Sequence, residues 1–168
     1  ENIEIIKYLN NFENFSASFI QTQNFEISEG IISIGNSRVR ADYKKPSEII
    51  IILDEDKGMY YNVDLQESEF FDPRDSFAWF FFKVFKNPEF LIDESEINKL
   101  DNNIIIEKSR KGENNYNLKV FFENNPLVIR KIELNIDDQS LTLTLFEHKY
   151  NNKFEEKYFK LIAPSFFN

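Results

Sequence analysis

Short apolar runs of period two, separated by brief stretches of turn chemistry, recur along most of this chain and leave it few folds to choose from. Phe15, Ala17, Phe19 and Gln21 alternate with Ser16, Ser18 and Ile20, a pattern that puts one set of side chains on each face of a strand. Further strand-like runs span Glu26–Ile34, Arg38–Lys44, Glu48–Leu53, Met59–Val63 and Glu67–Phe71. They are joined by Gly35-Asn36-Ser37, Lys45-Pro46-Ser47, Asp54-Glu55-Asp56-Lys57-Gly58 and Asp64-Leu65-Gln66, the residue types that close hairpins. A second series covers Asn103–Lys108, Asn115–Phe122, Leu127–Ile136, Ser140–Lys149 and Lys153–Phe159, with turns at Lys111-Gly112-Glu113 and Asp137-Asp138-Gln139. The expectation is an antiparallel meander in two sets.

Two segments break the strand rhythm. From Asn2 to Phe12 the apolar residues Ile3, Ile6, Leu9 and Phe12 recur at about helical spacing, which predicts an amphipathic N-terminal helix. Between the two strand sets lies Asp72 to Leu100. There Asp72-Pro73-Arg74-Asp75-Ser76 supplies helix-starting residues, and the run from Phe77 to Phe85 is apolar everywhere except Lys83. A segment so apolar must be covered on more than one side. It reads equally as a buried core element or as a lid over an apolar cavity. Asn87-Pro88 ends it, and Glu89–Ile92 and Glu94–Leu100 are each expected to form a short turn or helix.

Composition removes several function classes. With 20 Lys+Arg against 29 Asp+Glu the net charge is −9, the wrong sign for a surface that neutralises nucleic-acid phosphates. There are no cysteines and one histidine, so thiol nucleophiles, disulfides, thiolate metal sites and sites needing two imidazoles are all excluded. The acidic groups Asp54/Glu55/Asp56 and Asp137/Asp138 lack the register of a calcium loop. No Walker loop, G-x-G-x-x-G or G-x-S-x-G elbow occurs. His148, in Leu145-Phe146-Glu147-His148-Lys149, reads as an exposed strand histidine. The expectation is a protein without catalysis, cofactor or metal. Nineteen Phe suit either ordinary core packing or a ligand cavity. No run reaches the roughly 18 apolar residues of a membrane span. The chain starts at Glu1, with neither a methionine nor a basic-then-apolar leader, which is compatible with export of a processed chain. Its 168 residues fit one domain, and the even spread of charge gives no reason to expect an obligate dimer.

The residues alone therefore predict an α+β chain: an acidic antiparallel sheet curled around an apolar helix, a half-open barrel suited to binding an apolar ligand. The order of its short motifs resembles the LolA family of periplasmic lipoprotein carriers. After an N-terminal helix come Phe15-Ser16-Ala17-Ser18-Phe19-Ile20-Gln21, Glu29-Gly30-Ile31-Ile32-Ser33-Ile34, Arg38-Val39-Arg40-Ala41-Asp42-Tyr43-Lys44-Lys45-Pro46 and Gly58-Met59-Tyr60-Tyr61-Asn62-Val63-Asp64-Leu65. Phe159-Lys160-Leu161-Ile162-Ala163-Pro164 is similar to the family's closing segment. Ala41, Met59 and Val63 stand where the family usually has an aromatic, a Trp and a Pro. Gly35-Asn36 replaces an Arg-Pro pair whose arginine is associated with lid closure, leaving Arg38 or Arg40 as substitutes.

The resemblance implies an incomplete antiparallel β-barrel, 1–168, with helices covering its open side. It implies acylated lipoproteins as cargo, an inner-membrane ABC release complex as donor, an outer-membrane receptor lipoprotein as acceptor where one exists, and a monomer working in the periplasm. Alternation in the matching strands gives an inward, acyl-binding set of Phe15, Ala17, Phe19, Ile32, Ile34, Val39, Tyr43, Ile50, Ile52, Met59 and Tyr61. Phe77, Trp79, Phe80, Phe81, Val84 and Phe85 are the lid. The alternative is a non-catalytic protein-interaction or sensor module built on the same half-barrel.

Overall fold

The computed structural model describes residues 2–167 apart from Asp75 and Glu113, and for Ser165 and Phe167 the backbone alone. Glu1, Asp75 of the helix-starting run and Glu113 of the expected turn thus lie outside the described residues. Eleven strands form one antiparallel sheet: β1 (Phe15–Gln23), β2 (Glu26–Gly35), β3 (Arg38–Lys45), β4 (Ile49–Leu53), β5 (Gly58–Asn62), β6 (Glu67–Phe71), β7 (Glu96–Leu100), β8 (Asn103–Arg110), β9 (Tyr116–Glu123), β10 (Val128–Ile136) and β11 (Gln139–Lys149). Their order is β6-β5-β4-β3-β2-β1-β11-β10-β9-β8-β7. Each half is a sequential meander, and the two halves meet along β1–β11, where Phe19 lies opposite Leu145 and Gln21 opposite Leu143. β6 and β7 form the two edges and do not pair with each other, so the sheet does not close into a barrel.

Three helices cover one face: α1 (Asn2–Asn10), α2 (Phe77–Lys86) and α3 (Pro88–Ile92). On α1 the buried residues are Ile5 and Leu9, with Phe12 just beyond, whereas Ile3 points into water; the apolar stripe runs at i, i+4 from Ile5 rather than from Ile3. Phe12 stacks on Phe15 at 4.4 Å and leans on Phe85, joining α1, β1 and α2 in one core. That core takes in Phe15, Ala17, Phe19, Ile32, Ile34 and Val39 from one half of the sheet and Ile104, Leu118, Val120, Phe122, Ile132 and Leu143 from the other. Gly30 is needed where it stands: a Cβ there would fall 2.1 Å from the Asp42 carbonyl oxygen and 2.9 Å from the Phe19 ring, so only a bare backbone lets β3 and the Phe19 ring come this close to β2.

Two expectations about elements are corrected. Within the expected turn or helix at Glu94–Leu100, Glu96–Leu100 is a strand, paired in register with β8 from Glu96–Glu107 to Leu100–Asn103. Only Ile97 of it is even half-buried, so an edge strand with little apolar alternation gave the sequence no period to read. Conversely, Lys153–Phe159 forms no strand. β11 already has β1 on one side and β10 on the other, which leaves no free edge for the chain to join. Its end instead crosses the outer face as a 3-10 turn at Glu156–Phe159, with Phe159 buried.

His148 is also corrected from exposed to half-buried. A bulge opposite Ala17, with Glu147 at φ 54°, turns the imidazole inward beside Phe15, where Nε2 lies 2.6 Å from the Ile129 carbonyl oxygen. Burial lowers its pKa. The Ile129 N–H donates to the Tyr8 hydroxyl at 3.1 Å, so the backbone groups freed by the β10 irregularity at Arg130 are taken up by α1 and β11.

Candidate functional site

Sheet parity decides which residues can face α2. Val39 pairs with Leu53, Ala41 with Ile51 and Tyr43 with Ile49, and directly opposed residues share a face. Between this inner face and α2 lies an apolar cavity of about 190 Å³. Phe19, Ile32, Val39 and Tyr43 form its floor together with Ala41, Ile51 and Leu53, and Phe77, Ala78 and Phe81 of α2 form its roof. Leu141 and Leu143 close it toward the second half-sheet, while Gln21 and Gln23 bring in the polar atoms of β1. One of these is satisfied: the Tyr43 hydroxyl donates to Gln21 Oε1 at 2.6 Å. Burial pushes the Tyr43 hydroxyl up to about 12, against a smaller opposing effect of the Gln21 bond, so at neutral pH it is a neutral donor.

The expected inward set divides in two. Phe15, Ala17, Phe19, Ile32, Ile34, Val39 and Tyr43 lie on the inner face, the first three at the floor of β1. Ile50, Ile52, Met59 and Tyr61 do not: they form a separate cluster with Val63, Leu161 and Ala163 on the outer face. The cause is a register that the sequence conceals. Ile49-Ile50-Ile51-Ile52-Leu53 is apolar at five successive positions, and both faces of this strand are covered, the inner by α2 and the outer by the C-terminal segment. Alternation is then silent, and a shift of one residue exchanges the faces.

The lid residues also separate. Phe77 and Phe81 roof the cavity, joined by Ala78, which the sequence did not single out. Trp79 and Phe80 face the other way, toward Phe90 of α3 and Tyr116 of β9, with ring centroids 5.4 Å (Trp79–Phe90) and 4.7 Å (Phe80–Tyr116) apart. Val84 and Phe85 are fully buried in the core, and Phe82 is buried with them. The C-terminal end of the helix is further tied down through Lys83 to Glu55 at 3.8 Å and Lys86 to Glu13. At the other end Ser76 makes no side-chain capping bond, and Phe77 and Ala78 are only half-buried. The helix is therefore anchored by ion pairs at its C-terminal turn, whereas at its N-terminal turn the contacts of the described residues are apolar, apart from Ser76, whose hydroxyl donates to the Pro73 carbonyl.

Arg38 and Arg40, considered for lid control, are on the outer face. Arg38 donates to the Phe159 carbonyl at 2.8 Å and pairs with Asp54 at 3.3 Å. Arg40 forks onto Asp42 through Nε and Nη2, each at 2.8 Å, donates to the Tyr158 carbonyl at 2.8 Å, and lies 3.8 Å above the Tyr158 ring. Both sit one residue out of phase with Val39 and Ala41, so the sheet itself stands between them and α2. They hold the C-terminal segment, not the lid. Among the described residues no group of three or more His, Asp and Glu side chains is placed to hold a metal ion.

An open antiparallel half-barrel with helices over its hollow, an apolar cavity between them and anchored charges outside defines a carrier-type lipid-binding fold. The chain belongs to the LolA family, described as outer membrane lipoprotein carrier protein LolA, which matches residues 10–162; it is a family of non-enzymatic, periplasmic carriers. No curated protein sequence matches it significantly. Among solved structures, the fold is similar to an uncharacterized conserved protein from Thermus thermophilus, with TM-score 0.59, 10% identity, and 94% of this chain and 92% of that one covered. It is also similar to Pseudomonas aeruginosa MucB, solved in complex with MucA, with TM-score 0.55 and 9% identity. That match covers 95% of this chain but 59% of MucB, so the chain spans about three fifths of that relative's length. Among the described residues no helix is long and apolar enough to cross a membrane.

Proposed function

We propose that this chain is a periplasmic carrier that shields the acyl chains of lipoproteins beneath α2, accepting them from an inner-membrane ABC release complex and delivering them to the outer membrane or a receptor there. The observation that carries this reading is the apolar cavity roofed by Phe77, Ala78 and Phe81, in a member of the LolA family. Each methylene removed from water contributes about 0.8 kcal/mol, so a long acyl chain needs a shielded path across an aqueous compartment. About 190 Å³ is below the roughly 300–1,000 Å³ of ordinary ligand pockets. Cargo therefore enters by lifting the N-terminal half of α2, and the helix reclaims its seat when cargo leaves. Phe19, Ile32, Val39 and Tyr43 then contact the chains directly, with Phe15, Ala17 and Ile34 as the deeper floor.

Native mass spectrometry of the protein with a triacylated lipopeptide, and with the same peptide lacking acyl groups, tests the reading. Adducts with the acylated peptide alone are expected. Silence from both, with the protein shown to be folded, would overturn it and favour a protein-interaction module instead, a use of the fold that the MucB–MucA complex illustrates.

A further inference from the structure

The acyl cavity lies on only one side of α2. On its other side Trp79 and Phe80, with Phe90 of α3, wall a second cavity of about 180 Å³. Its rim is of a different character. Arg110 at the end of β8, Asn115 before β9 and Asp137 after β10 bring polar groups to it. Asn115 Oδ1 accepts the Gly112 N–H, which leaves the amide NH2 as a donor. Among the described residues neither the Arg110 guanidinium nor the Asp137 carboxylate has an ion-pair partner. The second cavity is thus half aromatic wall and half solvent-exposed polar rim, with no ion pair to these rim groups among the described residues, whereas the first is almost wholly apolar.

The two open at the same end of the sheet. The β10–β11 hairpin gives Ile136 and Asp137 to one and Leu141 to the other, with Ile136 paired to Gln139 across the turn. Only the N-terminal half of α2, the half without a capping bond, stands between them. Resting on the carrier reading above, we propose that the second cavity binds the polar head of the acylated cargo: a neutral, amide- and ester-bearing group attached to the hydrocarbon that occupies the first. Carbonyl oxygens would accept from Arg110 and Asn115, and an amide N–H would donate to Asp137. Opposite charges at one rim disfavour an anion or a cation alone, and a bare hydrocarbon would desolvate all three groups without replacing their bonds to water. One molecule can therefore straddle the first turn of α2, chains on one side and head on the other.

Trp79 is the chain's only tryptophan, lines this cavity and sits on the half of α2 that cargo lifts, so its emission reports binding in either cavity. The full chain is titrated with a triacylated lipopeptide and, separately, with palmitate, following Trp79 fluorescence and counting adducts by native mass spectrometry. Both ligands are expected to form adducts and to shift Trp79 emission, because each displaces the half of α2 that carries Trp79, so the head-group site is read from the variants. Arg110→Ala, and Asp137→Gly, which suits the φ of 51° at that residue, are each expected to weaken lipopeptide binding about tenfold and to leave palmitate binding unchanged. Unaltered lipopeptide affinity in both variants, or an equal loss of palmitate affinity, would overturn the head-group site while the palmitate adducts keep the carrier reading intact. Absence of adducts with either ligand would remove both.

Discussion

At the tip of the β1–β2 hairpin, Phe25 holds φ at 70° after Asn24 at 49°, with its ring wholly in water. A two-residue turn of this kind favours glycine at its second position, and a bulky residue in the left-handed region costs roughly 1–3 kcal/mol. Phe25→Gly relieves that cost and gives back about 0.5–1 kcal/mol in chain entropy. The expected outcome is a net gain near 1 kcal/mol, read as a thermal midpoint about 2–4 °C higher; a lower midpoint would show that the ring makes contacts the fold needs. Tyr43 sets a second residue-scale expectation. Its hydroxyl keeps its proton to about 12 in the folded chain, whereas the unfolded chain releases it near the usual value of about 10. The stability linked to this group is complete below the unfolded value and is lost as pH rises from 10 toward 12, on the order of 2 kcal/mol in all. Urea midpoints of Tyr43→Phe measured across that range should fall less steeply than those of the parent chain.

Among the elements, α2 separates what the sequence discloses from what it hides. Its existence was legible, because nine positions apolar but for Lys83 demand burial. The division of its faces was not: with rings at Phe77, Trp79, Phe80, Phe81 and Phe82 no polar side marks which residues point at a ligand cavity. The same loss of contrast hid the parity of β4, although the meander within each strand set, β7 and the expected strand at Lys153–Phe159 aside, and the inner faces of β1, β2 and β3 followed from plain alternation. Ala41, Ile51, Leu53 and Ala78 line the cavity without any local signature. They are identified by what they oppose across the sheet, as Ala41 opposes Ile32 and Ile51. Two substitutions on one face of α2 test the roof. Phe81→Glu places a carboxylate against apolar walls and should abolish acyl uptake with the β-sheet circular-dichroism signal retained. Ala78→Trp fills the space instead and should block uptake without loss of thermal stability; undiminished adducts in both variants would place the cargo elsewhere.

For the molecule as a whole, the outer face is held by the chain's last segment. Tyr158 donates to Asp42 Oδ2 at 3.2 Å and Phe159 packs where Gly35 leaves room. Arg40 and Asp42, with side chains 14% and 11% exposed, form the centre of this clasp. Arg40→Ala leaves Asp42 half-satisfied in a covered position and is expected to cost about 3–5 kcal/mol in a denaturation experiment, with lipopeptide adducts undiminished at temperatures where the variant is folded. A selective loss of adducts would instead tie the arginine to the lid, through a sheet that separates them. The meeting of the two half-sheets along β1–β11 has a consequence in time as well as in space. Every other strand pair joins sequence neighbours through a short turn, so the halves can assemble locally, but the seam joins Phe19 to Leu145 across nearly the whole chain and must close the longest loop. Weakening the seam therefore slows folding, whereas weakening the edges at β6 or β7 hastens unfolding; the hollow between α2 and the sheet exists only after β1 and β11 have found each other.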